Sequence, residues 1–361
     1  MNQGITTYKY NRPFTTESGF TFPKLDLAYK TWGQLNEDKT NVILVCHAFS
    51  GHASADEWLS DCFGEGKMLD PSRNFIVCVN IIGSCYGSTG PRSINPDTGK
   101  IYGSGFPKVT IRDMVRAHQI ILDMLDIREI EFAFGASMGG MQALEFSIMD
   151  TRIKQLVLVA MGKSHSPWAI GISEAQRQAI YADTKWNDGD YSDEDPPAKG
   201  LAAARMMAML TYRSAHSFEE RFSRNIQPDT DIFEVESYLR YQGKKIVDRF
   251  DAMTYVRLTE AMDSHDVARG RDSYKNILGR VKIPALIIGI DSDLLYPIAE
   301  QQELSELLGN GHYVEMNAPD GHDSFLVEFN KMQQIVREFR ERKTSDKDNS
   351  KQLYEKATIT R

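Results

Sequence analysis

The sequence predicts an α/β fold, a mostly parallel sheet covered by helices on both faces, with a helical segment inserted into its second half. Three observations lead there. Short apolar runs rich in β-branched residues recur along the chain, at 41–46 (NVILVC), 74–82 (NFIVCVNII), 129–134 (EIEFAF), 155–160 (QLVLVA) and 285–290 (ALIIGI). They are continuous rather than alternating, as strands buried on both faces must be. Amphipathic helical patterns separate several of them, and buried strands alternating with such helices read as a parallel sheet. From about 163 to about 280 the strand-like runs almost vanish and helical patterns take over.

The elements follow in order. Residues 110–125 (TIRDMVRAHQIILDML) place Ile111, Val115, His118, Ile121, Leu122 and Leu125 on one stripe, with Thr110 as the cap. His118 on that stripe reads as a packed or solvated histidine rather than a ligand. Within the helical stretch, patterns run over 173–182, 200–210 and 235–250, interrupted by the polar loop NDGDYSDEDPPAKG. Met206, Met207 and Met209 at helical spacing read as core filler, with an adaptable pocket lining as the alternative. The expected organisation is an α/β core of residues 1–163 and 281–341, a helical lid of residues 164–280, and a polar, mobile tail of residues 342–361.

Bulk properties narrow the partners. A formal net charge of −8 over 361 residues argues against nucleic acid or an anionic membrane, since each needs a basic face. No apolar run approaches the roughly 18 residues of a membrane span, and the first residues (MNQGITTYKYNRPF) lack the pattern of a signal peptide. Cys46, Cys62, Cys78 and Cys85 form no CxxC pair, so neither a metal site nor a disulfide framework is expected. A reducing cytoplasm is the expected compartment.

Residues 134–140 (FGASMGG) carry the strongest chemical signal. G-x-S-x-G stands directly after a strand and before a helical pattern, the context that makes Ser137 the nucleophile on the strand-to-helix turn of an α/β-hydrolase fold. A serine hydroxyl needs a base, and the base an orienter. In this architecture the chain order is nucleophile, acid, histidine. The loop after the last strong strand offers Asp291 and Asp293. Asp293 is preferred because it lies deeper in the loop, four residues before Pro297, and Asp291 reads as a turn residue. His322, in the Gly/Pro-containing segment APDGHDSF, is preferred as base over His312, which begins a strand-like piece. His165, His216 and His265 have no role that their surroundings identify. The oxyanion is expected to meet the Met138 N–H and the Phe49 N–H, the latter from the loop after the 41–46 run. His47 in that loop reads as a brace for the turn.

The segments GASMGGMQALEF, CHAFSGH, NIIGSCYGSTGPRSINPDTGKIYGSGFPKVTIRDMV, EAQRQAI, ARMMAMLTYRS, VESYLRYQGKKIVDRFDAMTY and GHDSFLVE together resemble the homoserine O-acetyltransferases, α/β-hydrolase-fold acyltransferases of methionine biosynthesis. The likeness runs to about residue 340. It implies Ser137, Asp293 and His322 as the catalytic triad, and adds Arg205 and Asp323 as holders of the amino-acid acceptor. A guanidinium fork for the carboxylate and an anion for the ammonium suit an α-amino acid. It further implies acetyl-CoA as co-substrate, L-homoserine as acceptor, no metal, and a homodimer assembled through the lid helices. Phe49-Ser50 stands where leucine-threonine is common in the family and reshapes the acyl side of the pocket. Acetyl against succinyl, and homoserine against serine, stay open.

Overall fold

The computed structural model describes residues 4–345. Its strands are β1 (Thr6–Tyr10), a small hairpin of β2 (Phe14–Thr15) and β3 (Thr21–Phe22), β4 (Leu25–Trp32), β5 (Val42–Cys46), β6 (Phe75–Val79), β7 (Phe132–Ala136), β8 (Leu156–Val159), β9 (Ala285–Ile290) and β10 (Gly311–Met316). All but the hairpin form one eight-stranded sheet in the order β1-β4-β6-β5-β7-β8-β9-β10. β4 pairs antiparallel with β1 and β6, and every other pair is parallel. Every residue of β5, β7, β8 and β9 is buried, which is why these strands carry unbroken apolar runs. The strands β1 to β4 escape that criterion. β1 is largely exposed at the sheet edge, and β4 contains Lys30, whose ammonium is buried and held by Asp56 at 2.8 Å.

The core helices are α1 (Ala55–Trp58), α2 (Ile111–Met124) and α3 (Met138–Met149). Thr110 caps α2 with a full capping box, its side chain accepting from the Asp113 N–H while Asp113 accepts from the Thr110 N–H at 3.0 Å. The predicted stripe is buried at Ile111, Val115, His118, Ile121 and Leu122, whereas Leu125 lies beyond the helix as its C-cap and is only half-buried.

Between β8 and β9 run α4 (Pro167–Tyr181), α5 (Ala198–Tyr212), α6 (Ala215–Phe222), α7 (Glu234–Val247), α8 (Ala252–Asp263) and the short α9 (Tyr274–Leu278). The chain enters and leaves this helical layer side by side, for Ser164 and Asp266 form an antiparallel bridge and His165 N–H donates to the His265 carbonyl at 2.8 Å. Arg112 fastens that neck to the core. Its guanidinium donates to the Asp266 and Arg269 carbonyls at 3.0 and 2.9 Å and to Glu145 of α3 at 3.1 Å. Of the three methionines on α5, Met209 is core, Met206 is half-buried and Met207 is exposed. The chain closes with α10 (Ile298–Leu307) and α11 (Phe329–Ser345). α11 therefore extends past the expected boundary at 341, and residues 346–361 of the expected tail lie outside the described residues. Among the described residues no helix is long and apolar enough to cross a membrane.

Candidate active site

β7 runs into α3 with Ser137 as the single residue between them, at φ 54° and ψ −127°. A non-glycine residue at positive φ costs about 1–3 kcal/mol and persists only where its surroundings fix it. They do so here. Ser137 N–H donates to the Val159 carbonyl of β8 at 2.9 Å, and its own carbonyl accepts from Gly140 and Met141 at 2.9 and 3.2 Å. Gly139 lets α3 begin against the loop after β5, because a Cβ at that position would stand 2.1 Å from the Cys46 carbonyl oxygen and 3.1 Å from that of His47. Neither atom belongs to a flexible side chain. Gly139→Ala is therefore expected to destabilise the fold by about 3 kcal/mol and to displace the elbow. Urea denaturation measures the first effect, and loss of active-site acylation the second.

Asp293 lies beyond β9 and His322 in a 3-10 turn, residues Gly321–Leu326, beyond β10. They meet at 2.7 Å, His322 Nδ1 to Asp293 Oδ2, with both side chains almost wholly buried. A carboxylate only accepts, so Nδ1 carries the proton and Nε2 is left for the nucleophile. The other oxygen of Asp293 accepts from the Leu295 and Tyr296 N–H groups at 2.8 and 3.0 Å, fixing the carboxylate from its own loop. Burial alone would lower the pKa of His322. The Asp293 charge and hydrogen bond, with Asp323 adding to them, outweigh burial and leave the imidazole above its ordinary 6.5. Tyr212, Tyr296 and Phe325 pack around the ring at centroid distances of 5.6, 5.4 and 5.6 Å. Among the described residues no hydrogen bond joins the Ser137 hydroxyl to His322, whose ring is oriented by Asp293.

Asp291, the competing acid, has a different task. Its carboxylate accepts from the Ala318 N–H at 2.9 Å and the Asn317 side chain at 2.8 Å, pinning the start of the histidine loop. His312, the competing base, lies on β10 and meets Phe339 edge-on.

Met138 follows Ser137 at the start of α3, and Phe49 lies in the loop after β5, whose Cys46 and His47 carbonyls border Gly139. Met138 opens α3, where helix geometry leaves its N–H unpaired, and among the described residues neither that N–H nor the one of Phe49 has an acceptor. The loop that bears Phe49 is stiffened by His47, whose Nδ1–H donates to the Ala48 carbonyl at 2.9 Å while Nε2 accepts from the Ile81 N–H at 3.3 Å. Burial lowers the pKa of His47 to about 4. It is a neutral brace. The Phe49 ring packs edge-on against Tyr255 at 4.7 Å and near Phe250 at 6.0 Å, so aromatic side chains from the helical layer wall this side.

Arg205, on the same helix α5 as Tyr212, and Asp323 both act on that phenol through their charges. The Arg205 guanidinium lies 5.2 Å from the Tyr212 ring centre, and Tyr212 contacts His322, the neighbour of Asp323. Burial raises the pKa of Asp323, and the charges of Arg205, Arg213 and His322 oppose that rise. Arg205 and Asp323 share no ion pair among the described residues. The cation in contact with Asp323 is Arg213, Nε to Oδ2 at 3.5 Å, which also binds Asp320 at 2.7 Å. Arg213, Tyr212 and Tyr296 carry no local sequence signal. Arg213 follows the end of α5 and Asp320 lies 107 residues away, a pairing that only the return of the chain creates. Arg249, between α7 and α8, is a further residue of this kind, donating to the Ser50 carbonyl at 2.8 Å and the Tyr86 hydroxyl at 2.6 Å beside the Phe49 loop.

Comparison with known proteins agrees with this geometry. The family model for the alpha/beta hydrolase fold matches residues 41–329. A homoserine O-acetyltransferase of Chlorobium chlorochromatii (strain CaD3) is 53% identical over 336 residues, covering 92% of this chain and 94% of the relative. The crystal structure of homoserine O-acetyltransferase from Bacillus anthracis superposes with a TM-score of 0.85 at 26% identity, over 93% of this chain and 98% of that one. The structure of esterase E22 reaches the same TM-score of 0.85 at 27% identity, over 93% of this chain and 100% of that one.

Proposed function

The chain belongs to the homoserine O-acetyltransferase family of α/β hydrolases, and on that premise we propose that it moves an acetyl group from acetyl-CoA to the hydroxyl of L-homoserine through an acyl-Ser137 intermediate. The observation that carries this reading is the buried His322–Asp293 pair at 2.7 Å in the chain order that the strained Ser137 elbow requires. His322 Nε2 takes the Ser137 proton as Oγ attacks the thioester carbonyl. Asp293 stabilises the imidazolium, and the Met138 and Phe49 N–H groups receive the oxyanion. Collapse of the tetrahedral intermediate breaks the C–S bond, and the thiolate leaves with the proton held by His322. In the second half, His322 deprotonates the homoserine hydroxyl, which attacks the acyl-serine carbonyl; the bond to Ser137 Oγ then breaks, His322 returns the proton to that oxygen, and O-acetyl-L-homoserine leaves, the product that methionine biosynthesis would draw on. The kinetics are then ping-pong.

Arg205 is proposed to bind the acceptor carboxylate and Asp323 its ammonium. The helices α4 to α8 act as a lid that keeps water from the acyl-enzyme, and exposed Met207 and Leu210 on α5 with Tyr241 on α7 suit a homodimer through that layer. No metal takes part in these steps, and the expected compartment is the cytoplasm.

Likeness to an esterase at the level of the fold favours one second reading, a serine hydrolase with the same triad. Purified protein is offered acetyl-CoA or succinyl-CoA with homoserine, serine or water alone, and the products are identified by mass. O-acetylhomoserine as the dominant product, about tenfold or more over free acetate, is expected for a transferase site built around a charged acceptor cradle. Equal turnover with and without homoserine overturns it in favour of hydrolysis, and preference for succinyl-CoA or for serine corrects the donor or the acceptor.

A further inference from the structure

Resting on the reading just given, we propose that Arg213 is a positioning residue for the second half-reaction, tethering Asp323 so that its carboxylate receives the acceptor ammonium beside His322. Arg213 is the first residue after α5, and with Ser214 it seizes the histidine loop from the lid side. Nη1 donates to Asp320 Oδ1 at 2.7 Å, and Nε stands 3.5 Å from Asp323 Oδ2. The Ser214 hydroxyl donates to the Pro319 carbonyl. Gly321, at φ 69°, permits this closeness, since a Cβ there would meet the backbones of Arg213 and Ser214 at 2.7 Å. The opposite side of the same loop is held by the acid loop, Ser292 accepting the Gly321 N–H at 2.9 Å and Asp291 the Ala318 N–H at 2.9 Å. The turn that carries base and acceptor anion is therefore gripped between lid and core.

The grip has a chemical direction. Asp320 anchors one end of the guanidinium, while the Nε–H is buried and makes no hydrogen bond of its own. Its ion pair with Asp323 is therefore electrostatic, leaving the lone pairs of Asp323 Oδ2 available to an ammonium donor. The charged groups facing Asp323 are Arg205 on α5, Arg213 after it, His322 on its own turn and Asp293 on the acid loop. Burial favours the protonated carboxyl, and a protonated Asp323 presents no anion to an ammonium. Arg213 opposes that, so its loss raises the carboxyl pKa and adds to acceptor use an acid-side loss beyond that of His322, shifting the limb to higher pH. The first half-reaction has no ammonium to bind, so it loses no substrate contact when Asp323 is protonated and feels the change only through the field at His322.

The test separates the halves in the full-length protein. Arg213→Met and Arg213→Lys are compared with the unaltered chain for the acetyl-CoA acylation burst at Ser137 and for kcat and KM with homoserine across pH. The Met variant is expected to keep its burst rate within about twofold, to raise the homoserine KM about tenfold or more, and to shift the acid limb of kcat/KM to higher pH; the Lys variant recovers part of each. Equal loss in both half-reactions, or an unmoved KM and pH profile, overturns the proposal. Should the Met variant fail to fold, the Lys variant decides. A raised KM and shifted limb with an intact burst support the tether, and unchanged values overturn it. A failure of the underlying reading shows separately, as no burst in the unaltered protein.

Discussion

Replacing Ser137 by alanine is expected to lower acyl transfer by roughly five to six orders of magnitude, the scale on which nucleophile removal acts in serine enzymes. The expected change in melting temperature is small. Ser137 has its backbone fixed by Val159, Gly140 and Met141 rather than by its side chain, and alanine bears the same strained φ of 54° without adding bulk. Mass spectrometry after incubation with acetyl-CoA should find about 42 Da added to the unaltered chain, an acetyl group in place of a hydrogen, and none on the variant, in keeping with a covalent intermediate on that hydroxyl. Retained turnover in a folded variant sinks the acyl-serine route altogether, whichever acceptor is used.

Asp293→Asn follows at roughly 10⁴-fold in kcat. Asparagine keeps the shape of the loop and its carbonyl still accepts from Leu295 and Tyr296. Its amide then faces His322 Nδ1 with a donor, which drives the ring to the tautomer with Nδ1 unprotonated and the proton on Nε2. That tautomer has no lone pair to take the Ser137 proton. The pH profile adds a second mark. His322 works as a base only when neutral, so activity rises with pH through its pKa, which Asp293 holds above 6.5. Removing that charge leaves burial to lower the pKa, and the residual acid limb moves to lower pH while the plateau falls. A limb that stays in place or moves upward would show that another group holds the imidazole.

Fold likeness by itself does not separate transfer from hydrolysis, since an esterase and a homoserine O-acetyltransferase superpose on this chain equally well. The proposed transfer reading leans on what stands beside His322, where Arg205 lies over the Tyr212 ring and Arg213 faces Asp323; water as an acceptor needs no such charges.

The sequence by itself determined the sheet interior, the strand-to-helix elbow and the cap of α2. Each rests on local physics. A strand buried on both faces must be apolar throughout, a residue in a left-handed turn between strand and helix needs small neighbours, and Thr110 stands where a helix end needs an acceptor. It could not find β1 to β4, because an edge strand and a strand with a paired, buried lysine lack the apolar run. The choice of Asp293 over Asp291 was legible as depth in a loop, yet its reason was not. Only the tertiary structure turns one carboxylate toward His322 and the other toward the Asn317 side chain and the Ala318 N–H. The same holds for Arg213, whose partners lie more than 100 residues along the chain. Long-range ion pairs leave no periodicity behind. They are decided when the helical layer folds back over the histidine turn and two distant charges arrive within 4 Å of each other.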